Sequence, residues 1–161
     1  MKVRELMTED PISCEPETNL ASAASLMWMN DCGTLPVVDY GRLTGIITDR
    51  DICIALGTRN HIAAEMLVSD VATHPVETCA PDDTLRSAMA TMRRAKVRRL
   101  PVVSPAGELV GVLSLNDLVL AAGHRPGQID VEEIVNTIKA VSEHRAKPQE
   151  AKVKTPELAF V

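Results

Sequence analysis

The sequence contains an internal repeat, in which the same order of motifs occurs twice about 65 residues apart. Residues 35–38, Leu-Pro-Val-Val, recur at 100–103, and the apolar stretch 43–52 recurs at 109–118. Matches of this length in the same order are typical of duplicated folding units. The repeat therefore predicts two copies of one supersecondary unit, called copy one and copy two below.

Each copy has the hydrophobic periodicity of two helices and two central strands. The first helix repeats apolar residues at i, i+3, i+4 and i+7, which form one buried helical stripe. The stripe residues are Leu20, Ala23, Ala24 and Met27 in copy one, and Leu85, Ala88, Met89 and Met92 in copy two. The strands are predicted near 35–39, 43–48, 100–104 and 108–114. The second helix should bury Ile52, Ala55 and Leu56, or Leu118, Ala121 and Ala122.

These elements predict an α/β fold, more strictly α+β, with each copy ordered β-α-β-β-α. One copy is too small to bury its own apolar faces, so the two should pack about a pseudo-twofold axis. We assign copy one to residues 2–60, and copy two with its linker to residues 61–124. Residues 125–161 form a C-terminal extension with one helix, opened by a capping box at Asp130, and a weakly ordered tail.

The charge balance argues against a dedicated nucleic-acid or membrane surface. The net charge is −5 and the pI is about 5.4, whereas such surfaces need basic faces. No apolar run approaches the roughly 20 residues of a membrane span, and the N-terminus lacks the apolar stretch of a signal peptide. We therefore expect a soluble cytoplasmic protein without a membrane partner.

The sequence lacks the patterns of an enzyme or a metal site. It has no nucleophile elbow and no phosphate-binding lysine motif, so we assign no catalytic residue. The cysteines form no C-x-x-C pair, and no histidine is close to them in the sequence, so we assign no metal ligand. Cys14 and Cys79 occupy equivalent positions in the two copies, and we interpret them as reduced, packed thiols.

The repeated motifs resemble paired CBS motifs, which together are called a Bateman module. The residues that carry the resemblance are 6–8 with Pro11, the strand 35–38 and the segment 45–51, each with its counterpart in copy two. The resemblance covers about residues 2–123 and is to a stand-alone, bacterial-type pair. It implies a non-catalytic sensor that needs no cofactor and binds an adenosine-type nucleotide in a shared cleft. AMP, ADP, ATP, NAD and S-adenosylmethionine all carry the required ribose.

The family's Gly-x-x-Ser/Thr-x-x-Asp segment implies the first set of ligand contacts. In this sequence it supplies Thr48 and Asp51 in copy one, and Ser114 and Asp117 in copy two. The hydroxyls would lie near ribose or phosphate and the carboxylates on the ribose hydroxyls. A strand leading into a helix N-terminus also favours an anion. The same residues fit a capping box with no ligand role, and that alternative stays open.

The resemblance implies further contacts around the cleft. They are Ile12 and Val76 at the purine, Pro36 and Pro101 on the cleft strands, Arg50 and Asn116 in the Gly-x-x-Ser/Thr-x-x-Asp segments, and Arg98 and Arg99 at phosphate. Copy one has Gly33 and Thr34 in place of the two arginines, so the half-sites should differ. The basic run 93–99 could alternatively be a solvated helix end, or the surface of a nucleic-acid or protein-interaction adaptor.

We also expect a homodimer and an unidentified effector protein. The predicted helices carry apolar residues that one intramolecular contact would not cover, and exposed apolar patches usually mark an interface. These residues are Leu26, Met27, Met29, Met92 and Leu118. Since no effector domain is evident in the sequence, the output should act in trans or through the C-terminal extension.

Overall fold

The computed structural model describes residues 1–124 and 129–143, which form two repeats and a C-terminal helix. Its strands are β1 Thr8–Glu9, β2 Thr34–Asp39, β3 Arg42–Thr48, β4 Arg99–Val103 and β5 Leu109–Ser114. Its helices are α1 Leu20–Met29, α2 Asp49–Arg59, α3 Leu85–Ala95, α4 Leu115–His124 and α5 Val131–Ser142. Short 3-10 turns occupy Val3–Glu5, Ala63–Glu65 and Val68–Asp70. The predicted α+β fold with two related repeats is confirmed.

The strands form two antiparallel sheets, one centred on each copy. In copy one, β2 and β3 form a hairpin. In copy two, β4 and β5 form the equivalent hairpin, and β1 adds to the free edge of β5. Thr8 of β1 pairs with Val112, so the N-terminal strand belongs to the sheet of copy two. The corresponding contact on copy one is a single bridge between Thr73 and Ile46.

The first predicted strand of each copy is reduced to one bridge. Cys14 pairs in parallel with Val37, and Cys79 pairs in parallel with Val102. Prolines flank both segments, and a residue without an N–H interrupts a strand ladder. The extended segments are therefore present, but too short to form full strands.

Each hydrophobic core is closed by a segment from the N-terminal end of the other copy. Val3 is fully buried in the core of copy two, and its N–H donates to the Asp83 carbonyl at 2.9 Å. Met66 and Val68, from the linker, are buried in the core of copy one. The predicted boundary after residue 60 divides the chain by sequence order only. It stays a prediction, because a segment from each side of the boundary packs into the core on the other side.

Most of the predicted helical stripes are buried, with two exceptions in copy one. Leu20, Ala23 and Met27 of α1 are buried, and so are the four stripe residues of α3. Ala24 and Leu56, which we expected to be buried, are exposed. They lie on the outer face of α1 and α2, over which the described residues add no further helix.

The helices of copy two are covered by α5. Asp130 caps α5 as predicted, accepting hydrogen bonds from the N–H groups of Glu132 and Glu133. The helix packs on α3 and α4, with Ile134 and Val141 in the core of copy two. The Glu133 carboxylate, expected to complete a capping box, forms ion pairs with two arginines of α3 instead. The predicted tail from about residue 146 lies outside the described residues.

The expected dimer surface needs correction in copy two. Met92 and Leu118 are fully buried and Met27 nearly so, because these side chains fill the cores of their own chain. Met29 remains on the surface, with 79% of its side chain exposed. The predicted intermolecular role was therefore wrong for Met92 and Leu118 in copy two and for Met27 in copy one.

We predict that Met92→Ala will lower the free energy of unfolding by about 2 to 5 kcal/mol, because it leaves a cavity in the core of copy two. Met29→Ala is the matched control, since the same truncation at an exposed site costs less than about 0.5 kcal/mol. Chemical denaturation of both variants measures the difference. Equal destabilisation by the two substitutions would contradict the burial of Met92.

Candidate functional site

A cavity of about 330 Å³ lies between the two repeats, and we call it the cleft cavity. Both copies contribute to its wall. Copy one and the segment before it provide Thr8, Pro11, Ile12, Asn30, Asp31, Cys32, Thr34, Pro36 and Ile46. Copy two provides Arg99, Val112, Ser114 and Asp117. A molecule in this cavity would touch both repeats at once.

The junction of β5 and α4 places a hydroxyl and a carboxylate at the cavity wall. Ser114 is the last residue of β5, and its backbone N–H and hydroxyl donate to Asp117 Oδ2 at 2.7 and 2.8 Å. The Asp117 N–H returns a bond to Ser114 Oγ at 3.2 Å. These bonds form a capping box, so the helix-capping arrangement that we gave as the alternative to ligand binding is present. In the part of the chain that the structure describes, the hydrogen bonds to the Asp117 carboxylate all involve Oδ2 and none involves Oδ1.

The equivalent junction of β3 and α2 has the same local geometry. The Thr48 hydroxyl donates to Asp51 Oδ2 at 2.7 Å, and the Asp51 N–H donates back to Thr48 Oγ1 at 3.2 Å. Neither residue lines the cleft cavity. The pair therefore serves here as a helix cap, and its ligand role stays a prediction.

Arg99 bridges the two repeats at the cavity wall. Its Nη1 donates to Thr34 Oγ1 at 2.9 Å, and the repeat places these two residues at equivalent positions. Arg98 does not line the cavity. Its carbonyl accepts a bond from the Leu115 N–H at 2.9 Å, which fixes the start of α4. Of the two predicted arginines, only Arg99 reaches the cleft cavity.

The apolar wall comes mainly from copy one. Ile12 has 45% of its side chain exposed, and Pro11, Pro36 and Ile46 surround it in the cavity wall. The cleft cavity thus brings together five of the predicted ligand residues: Ile12, Pro36, Arg99, Ser114 and Asp117. The others do not line it and stay predictions: Thr48, Asp51, Arg50, Asn116, Arg98, Val76 and Pro101.

Sequence reasoning missed the turn that follows α1. Asn30, Asp31 and Cys32 line the cleft cavity, although none belongs to a motif of the resemblance. Extending the repeat by its own offset aligns Asp31 with Lys96, a reversal of charge at equivalent positions. This charge reversal between aligned positions was the sequence signal that could have identified Asp31 as a candidate site residue.

A second cavity, of about 410 Å³, adjoins the first, and we call it the helix cavity. It lies between α1 and the start of α2 and is lined by Ala24, Met27, Trp28, Asp31, Cys32, Gly33, Asp49 and Ile52. Asp31 and Cys32 belong to the walls of both cavities. The turn after α1 therefore separates the cleft from the outer helical face.

The basic run 93–99 is mostly engaged within the chain. Arg93 donates to Thr137 Oγ1 at 2.9 Å and lies 3.6 Å from a Glu133 oxygen. Arg94 pairs with Glu77 at 2.8 Å, and Lys96 with Glu143 at 3.0 Å. These pairs tie α3 to its surroundings and do not favour a free basic surface.

The two equivalent cysteines are packed rather than reactive. Cys14 and Cys79 are each 6% exposed. Burial raises the pKa of the Cys14 thiol to about 11, and burial with the nearby Asp83 carboxylate raises the pKa of Cys79 to about 12. A thiol protonated at neutral pH is a poor nucleophile, which agrees with our packing interpretation.

Two further kinds of site are absent from the described residues. Across them, no group of three or more histidine, cysteine or acidic side chains is arranged to hold a metal ion. No helix in the described part of the chain has the length and hydropathy needed to cross a membrane.

Comparison with known proteins shows that both repeats match the same protein family. The sequence profile of the CBS domain matches residues 3–58 and again 68–124. The CBS domain-containing protein YhcV of Bacillus subtilis is 33% identical over 118 residues, covering 73% of this chain and 83% of YhcV. Inosine-5′-monophosphate dehydrogenase of Korarchaeum cryptofilum is 30% identical over 141 residues, covering 88% of this chain. The match spans only 28% of that enzyme's length.

Two similar solved structures contain adenosine ligands. One is the CBS domain pair of protein MJ0100 in complex with 5′-methylthioadenosine and S-adenosyl-L-methionine. It has a TM-score of 0.70 and 25% identity, covering 78% of this chain and 98% of that one. The other is CBSX2 in complex with AMP, with a TM-score of 0.68 and 26% identity, covering 76% of this chain and 96% of that one.

We predict a clear order of thiol reactivity in the native protein near pH 8. Cys53 is exposed and Cys32 is partly exposed, so both should react with a thiol reagent, Cys53 faster. Cys14 and Cys79 should react only after denaturation, because they are buried and protonated. Alkylation followed by peptide mass spectrometry measures each cysteine separately. Rapid native labelling of Cys14 would contradict the packing described above.

Proposed function

The chain belongs to the CBS-domain family as a tandem pair, which is a regulatory module, and from this premise we propose that its cleft cavity binds an adenosine-type ligand. The observation that carries the proposal is the Ser114–Asp117 pair, which faces a cavity whose opposite wall is apolar. The adenosine ligands bound by the MJ0100 pair and by CBSX2 support the same class of ligand.

Each wall of the cleft cavity has a role in this proposal. Asp117 Oδ1 accepts hydrogen bonds from the ribose hydroxyls, while Oδ2 keeps α4 capped. Ile12 and Pro36 pack on the faces of the purine. Arg99, which donates a hydrogen bond to the Thr34 hydroxyl, places a positive charge at the junction of the two copies. Ligand binding then changes the packing of the repeats, and an effector protein detects that change.

The pseudo-twofold axis suggests a second half-site of the same kind. It would use Thr48, Asp51 and Arg50 with Val76 and Pro101, while Asn116 and Arg98 flank the first. We propose no catalytic role for any of these residues and no required cofactor. The match to inosine-5′-monophosphate dehydrogenase covers too little of that enzyme to carry over its activity. We propose a cytoplasmic location, where the four unpaired cysteines stay reduced.

An adaptor that binds nucleic acid through residues 93–99 is the less supported alternative. Arg93, Arg94 and Lys96 all form ion pairs within the chain. Their positive charges are therefore largely neutralised by carboxylates of the same chain, which weakens the attraction for a nucleic acid. No observation favours this function over the sensor.

We further propose a homodimer formed through the outer face of α1 and α2. Helix α1 contains no charged residue, and Trp28 on this face is 88% exposed. The equivalent face of copy two is covered by α5, which is anchored through Arg86 and Arg93 of α3. The repeat aligns these arginines with Ala21 and Trp28, so copy one lacks the cations that hold such a helix. A twofold contact that places α1 against its symmetry copy brings no like charges of that helix together.

We predict that Asp117→Asn will weaken adenosine-ligand binding in the cleft cavity by about 10- to 100-fold, because it removes a charge-assisted hydrogen-bond acceptor. Cys32 lines that cavity, so its alkylation rate is a site-specific readout. AMP, 5′-methylthioadenosine and S-adenosylmethionine serve as probes. Ligand should slow the labelling of Cys32 while leaving that of Cys53 unchanged, and Asp117→Asn should abolish this protection.

Asp51→Asn is the matched control for this experiment. It alters the same capping geometry at a junction that does not line the cleft cavity, so Cys32 protection should persist. The proposal fails if no adenosine compound protects Cys32 or raises the melting temperature. It also fails if both variants retain full protection.

For the dimer, we predict that Trp28→Glu will convert the protein to a monomer, because a buried unpaired carboxylate is costly at an interface. Light scattering at tens of micromolar protein measures the mass. Tyr40→Glu is the control, since Tyr40 is 98% exposed at the β2–β3 turn, away from this face. A parent protein that is monomeric with and without nucleotide would refute the proposed interface.

A further inference from the structure

The turn after α1 forms the third wall of the cleft cavity, and it bears on which adenosine ligand binds there. This inference rests on the proposed function. If Ile12 and Pro36 contact the purine and Asp117 the ribose, the remaining wall is the one formed by residues 30–34. That wall faces the group attached to the ribose. Its chemistry therefore selects among adenosine ligands that share the same nucleoside.

The backbone holds Asp31 at this wall. Asp31 has a left-handed conformation, with φ of +48°, and the next N–H, of Cys32, donates to the Met27 carbonyl at 3.0 Å. Copy two repeats this geometry: Lys96 has φ of +53°, and the Val97 N–H donates to the Met92 carbonyl at 3.1 Å. The two turns therefore have the same shape and opposite charge.

The two side chains also differ in what they contact. Lys96 points to the C-terminal end of α5, where it pairs with Glu143 at 3.0 Å. Asp31 lines both the cleft cavity and the helix cavity, and it forms no ion pair with another described residue. Its negative charge is therefore presented to whatever occupies the junction of the two cavities.

The combined lining of the two cavities is acidic. Its carboxylates are Asp31, Asp49 and Asp117, and Arg99 is the only lysine or arginine among the lining residues described. A triphosphate at the third wall would place several negative charges beside Asp31 with a single arginine to balance them. A cationic group is attracted there instead.

We infer that the cleft selects an adenosine whose ribose carries a cationic substituent, a sulfonium or an amine, and that Asp31 is the specificity-determining residue. The helix cavity suits the rest of such a substituent. Its wall includes the apolar side chains of Met27, Trp28 and Ile52, against which an alkyl chain packs. A di- or triphosphate has no comparable complement in this wall.

The test compares S-adenosylmethionine with S-adenosylhomocysteine, which differ by one methyl group and one positive charge. Titration calorimetry on the full chain should show about 3- to 10-fold tighter binding of the sulfonium, the size expected of one partly exposed charge pair. ATP should bind more weakly than either. Asp31→Asn should reduce the preference to less than twofold, and asparagine also tolerates the left-handed conformation.

Asp10→Asn is the matched control, because Asp10 is also an exposed aspartate with positive φ, of +46°, and lines neither cavity. It should keep the preference for the sulfonium. The inference is overturned by equal affinity for S-adenosylmethionine and S-adenosylhomocysteine, by tighter binding of ATP, or by an unchanged preference in Asp31→Asn. None of these outcomes contradicts adenosine binding itself. If none of the three compounds binds while AMP does, the inference fails alone, and if AMP and 5′-methylthioadenosine also fail to bind, the proposed function fails with it.

Discussion

The burial of short N-terminal segments in the opposite repeat is the constraint on which the rest of the structure depends. Val3 belongs to copy one in sequence but is fully buried in the core of copy two. Val68 belongs to the linker assigned with copy two but is fully buried in the core of copy one. Because small units gain little stability from their own cores, each repeat here needs a residue from outside its own compact unit. The two repeats are therefore expected to unfold together.

This exchange also creates the cleft. The N-terminal strand pairs with β5, and the chain then crosses to copy one through Pro11 and Ile12. That crossing brings an apolar segment opposite the β5–α4 junction, where Asp117 caps a helix. A capping residue at a surface helix has only a local role. The same residue here also lines a cavity between two repeats, and that second position comes from the topology.

Features that occur in both repeats could be predicted from the sequence, whereas contacts between distant segments of the chain could not. The two Ser/Thr-x-x-Asp segments could be placed at strand-to-helix junctions because hydrophobic periodicity changes there. The burial of Val3 could not be predicted, since one valine between charged residues has no periodicity. Met92 was assigned to an interface because a stripe of apolar residues does not specify which surface covers it, and in the structure the stripe is buried within its own chain, where α5 packs on α3. Asp31 was missed because it follows a helix end and belongs to no motif.

The differences between the repeats follow from how each one covers its helices. In copy two, α5 and its C-cap pair with one basic residue of α3 and with the residue that follows it: Arg93 pairs with Glu133, and Lys96 with Glu143. These cations thus stabilise the docking of a helix, and Arg99 is the member of the run that lines the cleft cavity. In copy one no helix of the described residues covers α1 in this way, and the equivalent of Lys96 is Asp31, which lies at the cleft instead. Covering one repeat with α5 therefore goes together with an acidic wall at the cleft cavity, so the proposed dimer surface and the proposed ligand preference both rest on the same divergence between the two copies.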